Sequence, residues 1–488
     1  MEGLRLAFLI VAGVYLVGML LVGYFYSGRV KSMDDFATGG RAAGLGLPVV
    51  AVAASLLATN NDTGNVLGIP EMTFGGGFGG LFWIVTVCLL VYLLMFLLGP
   101  RLRDSAASTL PDYVFRRFGQ STRVRSVVTL WSVVSAIIFM GAQLYGVSVV
   151  IQALFGIPWQ YSVIPVAGVV IVYTAMGGIW AVAMTDVIQW GLIVLGTAAI
   201  VPALYLVEGS LSSVVLAHQP VAGYASLNAG MPIIQLIALS LGASLWVLAD
   251  PALSQRFLAA QSSGAIKKGI WLWVAIIYPW WLIMAVIGMY ARVLFPDIAA
   301  AQSLVIMAGH VFHPIIAAIV CTAVLGAAQS TADSYLNVVS SMFVNDIYRP
   351  LFKKNGSEAH YLGVARWATI VTGILGVAVA PLYSQGIFVM ALNLQMIFIS
   401  SVVPVVVLGL LWKGINERAA FWASLLGGLT ALVWLILGGT QGIGGVQAIY
   451  PGLGVALLLI LFLSFSGRDD ERGLKAARKE KEREVKVA

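Results

Sequence analysis

Ala58-Thr59-Asn60-Asn61-Asp62-Thr63-Gly64-Asn65 interrupts an apolar stretch that runs over residues 45–73. A membrane span needs roughly 20 apolar residues. Backbone inside lipid leaves the helix only where it lines a cavity or is buried in protein. A polar run in the middle of a span therefore points to an unwound helix. Unwinding frees carbonyl groups for a cation and N–H groups for an anion. The alternative for 59–65 is a Gly/Asn kink packed against neighbouring helices. A second interruption, Leu248-Ala249-Asp250-Pro251-Ala252-Leu253-Ser254-Gln255-Arg256, ends the span that starts near residue 229. Asp250-Pro251 is read either as a matching break or as the end of that helix at the inner surface.

The rest of the chain supplies the setting. Of its 488 residues 60% are hydrophobic and 10% charged, where a soluble domain carries about 25% charged. The mean hydropathy is +0.94. These values exclude a nucleic-acid binder, a secreted disulfide scaffold and an ordinary cytosolic enzyme. Cys88 and Cys321 both sit in apolar stretches and read as core thiols.

Thirteen candidate spans follow, near 5–25, 45–73, 78–99, 124–152, 160–176, 181–207, 229–247, 269–293, 311–345, 362–384, 386–411, 418–438 and 448–466. The first reads as an anchor, because no small-residue cleavage site follows it. With the N-terminus outside, all of the 28 Lys and Arg except Arg5 and Arg292 fall in inner loops or the tail. The positive-inside rule then puts the C-terminus in the cytoplasm and makes the basic excess topogenic. Each interrupted segment opens a set of five spans. The expected organisation is a leading span and inner loop (1–44), a first repeat (45–207), an outer loop (208–228), a second repeat (229–411), two trailing spans (412–466) and a charged tail (467–488). Paired interruptions in two halves are the sequence pointer to an inverted-repeat transporter.

Two further clusters carry chemistry. Ala327, Ser330, Thr331 and Ser334 recur at i, i+3, i+4 and i+7 and share one helix face. Hydroxyls with one or two carbonyls make a hard-oxygen site for a small alkali cation; close helix packing through small residues is the other reading. Asp333 beside them favours function, since ionisable residues inside spans are rare. In Tyr173-Thr174-Ala175-Met176-Gly177-Gly178-Ile179-Trp180, the Gly pair reads as a tight turn, Thr185 as an N-cap and Asp186 as a first-turn carboxylate, with either a capping or an ion role.

Several pieces, in order, resemble the sodium:solute symporter family, which includes the sodium/glucose and sodium/proline transporters. They are Phe36-Ala37-Thr38-Gly39-Gly40-Arg41, Thr109-Leu110-Pro111-Asp112-Tyr113 with Arg116-Arg117-Phe118-Gly119, the run over 173–189, and Gln255-Arg256-Phe257-Leu258-Ala259-Ala260. Ser330-Thr331-Ala332-Asp333-Ser334 with Asp346-Ile347-Tyr348, and Gly409-Leu410-Leu411-Trp412-Lys413, complete the set. The resemblance implies an all-α leucine-transporter-like fold of five plus five inverted helices and sodium-coupled alternating access. It also implies a sodium ion held by carbonyls of Ala58, Asn61 and Ala327 and hydroxyls of Ser330 and Thr331. Asp186 matches a family aspartate linked to sodium passage or a second ion.

The departures bear on the solute. Ala275-Ile276-Ile277-Tyr278-Pro279 stands where a sugar-type lysine would fall, and Phe82-Trp83-Ile84 lacks the matching carboxylate, which argues against a sugar. Asp62 stands where a small residue is usual. The candidate cavity groups are Asp62, Thr63, Asn65, Gln143, Trp246, Asp250, Tyr278 and Gln395, and no Lys or Arg is expected in the core of a span. The expected cargo is a small polar nitrogenous solute, such as an amino acid, an amine or a urea-like compound, with a structural carboxylate bonded to neighbouring N–H groups of the unwound turn as the alternative for Asp62. A monocarboxylate or sugar carrier, or a proton-coupled carrier-like sensor or channel, remains the other reading. A membrane enzyme is disfavoured: the four His lie outside the span centres, and only His310 and His313 sit i, i+3 as a weak metal pair. The bilayer and the solute are the expected partners, with no nucleic acid, no obligate protein partner and a monomeric transport unit in the inner membrane.

Overall fold

The computed structural model describes residues 2–28, 30–38, 47–77, 79–216, 232–385 and 387–466. Gly39, Gly40, Arg29, Arg41, most of the 208–228 loop and the 467–488 tail lie outside the described residues.

Helix dominates because the backbone of an apolar chain in lipid must satisfy its own hydrogen bonds. Glu2–Ser27 shows how the sequence divides its faces. Leu4, Phe8, Ala12, Tyr15, Met19 and Gly23 form a buried stripe at three- and four-residue spacing. Leu6, Leu9, Val14, Leu21 and Phe25 point outward. An apolar outer face of this kind is matched to lipid and would be a liability in water.

Among the described residues nine helices are long and apolar enough to cross a membrane, or ten if the pair Met390–Ser401 and Val403–Leu411, bent by 45°, counts as one span. The sequence reading expects thirteen. Part of the difference is physical. Val49–Asn60 is cut short by its break, and Ile449–Phe465 is brief. The helix Gly79–Asp104 occupies the expected third span.

Pro314–Met342 is the axis of the molecule, with nearly every residue from Ala317 onward buried. Packed around it are Thr122–Phe155, the Trp159–Met176 and Gly178–Glu208 segments, the first helix and Glu358–Val379. Gly178 separates two of these segments at φ 55°, a conformation that favours glycine. A Cβ there would stand 3.0 Å from the Phe36 ring. The Gly-Gly turn is thus present, but Thr185 is not an N-cap. The helix starts at the Gly178 kink, seven residues earlier, and the Thr185 hydroxyl donates to Ala181 O within it (2.9 Å).

Both interruptions are real breaks. Val49–Asn60 stops, Asp62 caps the short helix Thr63–Val66, and Gly68–Gly76 follows. Ile233–Leu245 passes through one 3₁₀ turn, Trp246–Leu248, and restarts as Pro251–Ala259 with Asp250 as N-cap and Pro251 at its first position. The restart overturns one expectation. Arg256 does not lie in an inner loop; it is fully buried inside the Ile233–Ala259 span. A proline that opens a helix looks in sequence like one that ends it.

Candidate functional site

The Val49–Asn60 helix ends with its last carbonyls lacking helical partners, as any helix does. Here they are met by the face of Pro314–Met342 picked out by its hydroxyl spacing. Ser330 Oγ donates to Ala58 O and to Ala327 O, both at 2.9 Å, and Thr331 Oγ1 donates to Thr59 O at 3.1 Å. Ser334 Oγ donates to Ser330 O (2.6 Å) and lies 3.3 Å from Thr59 Oγ1. Ala58, Ala327, Ser330 and Thr331 are thus brought together, and every one of them is buried. Asn61 sits at the helix end, with neither side-chain oxygen nor nitrogen hydrogen-bonded. This cluster of neutral oxygens from two helices is the donor set a small hard cation takes. The Thr59 carbonyl is not distinguished by the sequence; the mixed spacing of the break hides which carbonyl faces which hydroxyl.

Next to this cluster the broken turn is fastened by side chains. Asp62 Oδ1 accepts from the Asn65 N–H (2.9 Å) and from Asn65 Nδ2 (3.1 Å), and Oδ2 accepts from Gln143 Nε2 (3.2 Å). Gln143 Oε1 in turn accepts from the Thr63 N–H and hydroxyl, both at 2.9 Å. Asn65 Nδ2 also reaches Asn60 O at 2.5 Å. Gly146 lets Thr63 approach this closely, since a Cβ on it would lie 2.6 Å from Thr63 Cβ. Gly146→Ala is therefore expected to lower thermal stability by about 1–3 kcal/mol, the usual range for overpacking. Thermal unfolding of the purified variant checks this, and an unchanged midpoint contradicts the tight approach.

A small cavity, partly open, lies against the turn. Both breaks line it: Asn60, Asp62, Gly64 and Asn65 from the first, Ala243 and Trp246 from the second. Tyr92, Phe139 and Trp281 supply aromatic walls, and Gln395 adds an amide. Of the eight sequence candidates, Asp62, Asn65, Trp246 and Gln395 line the cavity. Thr63 and Gln143 stand behind it as supports of the turn. Asp250 caps its own helix through the Leu253 N–H (2.7 Å) and accepts from the Tyr335 hydroxyl (2.7 Å). Tyr278 donates to Val85 O (2.9 Å). Tyr92, Phe139 and Trp281 went unnoticed in the sequence, because aromatic residues inside spans carry no signal of which ones face a cavity.

Asp186 is held in a buried network. The Ser55 hydroxyl donates to its Oδ2 (2.5 Å), and Arg256 Nη2 lies 3.7 Å from the same atom. Arg256 Nε also donates to Ser55 Oγ (2.9 Å), Nη1 to Ala252 O (2.9 Å), and Nη2 to Ser334 Oγ. One guanidinium so ties the broken helix, the Asp186 helix and the Ser334 helix together. At the far end of the Asp186 helix, His310 Nε2 pairs with Glu208 Oε1 (2.6 Å). Among the described residues no group of three or more His, Cys, Asp and Glu could hold a metal ion.

Apolar helices around two breaks, with an oxygen cluster and a polar–aromatic cavity beside them, define a multi-pass secondary transporter. The chain belongs to the sodium:solute symporter family, whose profile matches residues 36–427. It is 26% identical over 467 residues to the high-affinity proline transporter PutP of Bacillus subtilis (strain 168), covering 91% of this chain and 95% of that one. It is 25% identical over 483 residues to the sodium/proline symporter of Escherichia coli (strain K12), covering 93% and 92%. The fold matches the substrate-bound outward-open structure of a Na+-coupled sialic acid symporter with a TM-score of 0.79 at 22% identity, over 94% of this chain and 97% of that one. MhsT in complex with L-phenylalanine matches with a TM-score of 0.57 at 14% identity, over 85% and 98%. The fold is therefore leucine-transporter-like, and the protein is a sodium-coupled symporter of a small solute and not an enzyme.

Proposed function

We propose that the protein imports a small nitrogenous solute, an amino acid, an amine or a urea-like compound, with sodium bound by the Ala58, Asn61 and Ala327 carbonyls and the Ser330 and Thr331 hydroxyls. The observation that carries this reading is the hydroxyl pair of Ser330 and Thr331 set against the carbonyl end of Val49–Asn60. Residues of the same break line the cavity. A sodium ion that crosslinks the two helices here also fixes the turn that forms the cavity wall, so ion and solute binding are coupled through one segment. Asp62, Asn65, Trp246 and Gln395 contact the solute, while Thr63 and Gln143 hold the turn. Asp186 lies on the sodium path; its Oδ1, buried and without a hydrogen-bond partner, supports a passing or second cation.

The breaks open two five-helix repeats, 45–207 and 229–411, with one helix before and two after, giving thirteen spans. The N-terminus is outside, the C-terminus cytoplasmic, and the transport unit a monomer. Proteoliposomes test the function. An inward sodium gradient should drive labelled solute, screened among L-proline, L-alanine, L-prolinamide and urea, above equilibrium, and a potassium gradient should not. Equal accumulation in potassium, or accumulation that follows only a proton gradient, would overturn sodium coupling.

A further inference from the structure

Polar groups at the cavity are not evenly divided between donors and acceptors. The N–H groups of the first break are what an anionic solute would use. Four of them are already occupied: Thr63 N–H by Gln143 Oε1, Asn65 N–H by Asp62 Oδ1, Val66 N–H by Asp62 O and Leu67 N–H by Thr63 O. The Gly64 N–H bonds the Asp62 side chain as well. Amide and indole donors are similarly engaged, Asn60 Nδ2 by Tyr92, Asn65 Nδ2 by Asp62 and Asn60 O, and Trp246 Nε1 by Ala243 O. The open donors, Trp281 Nε1, Gln395 Nε2 and the Tyr92 hydroxyl, are all neutral. No Lys, Arg or His is among the described residues that line the cavity.

Acceptors are in surplus. Asp62 faces the cavity, and its side chain accepts from N–H donors, which favour the ionised carboxylate. A carboxylate has about four lone-pair sites, and Oδ2 is met by Gln143 Nε2 alone among side chains. Gln395 lines the same cavity, 2% exposed, and its Oε1 has no hydrogen-bond partner. The rings of Tyr92, Phe139, Trp246 and Trp281 line the cavity with them. Aromatic faces attract a cation through their quadrupoles, and a buried carboxylate needs a compensating charge.

We infer that this symporter's solute is an organic cation, an amine without a free carboxylate, whose ammonium group sits between Asp62, Gln395 Oε1 and the aromatic walls. Asp62 fills from within the chain the place at the broken helix that an amino acid's own carboxylate would take. The inference rests on the cavity being the solute site and narrows the nitrogenous class proposed above. A zwitterion would bring a second carboxylate to a wall with no charged donor left for it.

Matched pairs test this on the wild-type protein in detergent: L-proline against L-prolinamide and L-alanine against L-alaninamide, each titrated in sodium and in potassium. Ligand that binds the folded state raises its unfolding midpoint. Each amide is expected to bind at least about tenfold more tightly than its acid, the ratio one uncompensated charge contact produces. Asp62→Asn keeps a side chain able to cap the Thr63–Val66 helix while removing the charge, and should weaken the amides at least about tenfold. Tyr92→Leu and Trp246→Leu, which leave the cap alone, should weaken the amides and not the acids. An acid that binds as tightly as its amide overturns the inference, as does Asp62→Asn with unchanged amide affinity, or no response to either amide at millimolar concentration. The parent reading fails differently: an amide preference that is the same in potassium removes sodium coupling and leaves the cation site standing.

Discussion

Half-saturating sodium is expected to rise about 5- to 100-fold in Ser330→Ala and in Thr331→Ala. Both hydroxyls are buried, and each faces a carbonyl of the broken helix. Removing one ligand from a dry site costs about 1–3 kcal/mol, which converts to that range of affinity. The substitutions are small and the helix stays buried on all sides, so expression and the unfolding midpoint without sodium should change little. Sodium activation of uptake in proteoliposomes is the measurement, and unchanged activation in both variants removes the ion from this place. Ser334→Ala is the informative neighbour. Its hydroxyl accepts from Arg256 and is not in the proposed sodium ligand set.

Arg256→Met should be more damaging to the fold than either. Arg256 and Asp186 are both fully buried, and the guanidinium joins three helices. Breaking a buried pair from one side leaves an uncompensated charge and costs about 3–5 kcal/mol, while removing both charges is far milder. Arg256→Met and Asp186→Asn singly are expected to lower the unfolding midpoint strongly, and the double variant to recover much of the loss. Midpoints in detergent decide this. Additive losses would mean that the two side chains do not act as a pair. Because Arg256 also donates to Ser334, one turn from Ser330, the single variants should disturb sodium activation as well.

The functional segments were legible where polarity contradicts the membrane. Asp62 and its neighbours, and the hydroxyl face at Ser330, stand out because lipid tolerates polar backbone and side chains only at cavities and contacts. Asp62 shows the limit of such a reading. The same carboxylate caps Thr63–Val66 and lines the cavity, so polarity alone does not separate its structural place from a solute role. Arg256 was misread because a helix restarting at Pro251 is indistinguishable in sequence from one ending at Asp250. Thr185 was misread because a kink at Gly178 lets the helix begin seven residues before it. Asp250 and Tyr278 were credited with cavity roles by polarity alone, whereas their partners are Leu253, Tyr335 and Val85. With 14 Trp, 21 Phe and 17 Tyr in the chain, Tyr92, Phe139 and Trp281 are assigned to the cavity by three-dimensional placement, which no spacing rule encodes.

Direct binding of radioactive sodium to the purified protein tests the ion site most plainly. Saturable binding that excess unlabelled sodium displaces, that potassium does not, and that the Ser330→Ala/Thr331→Ala double variant loses is the expected result. Binding that persists undiminished in the double variant, or that potassium displaces as readily as sodium, would contradict sodium coupling at the junction of Val49–Asn60 and Pro314–Met342.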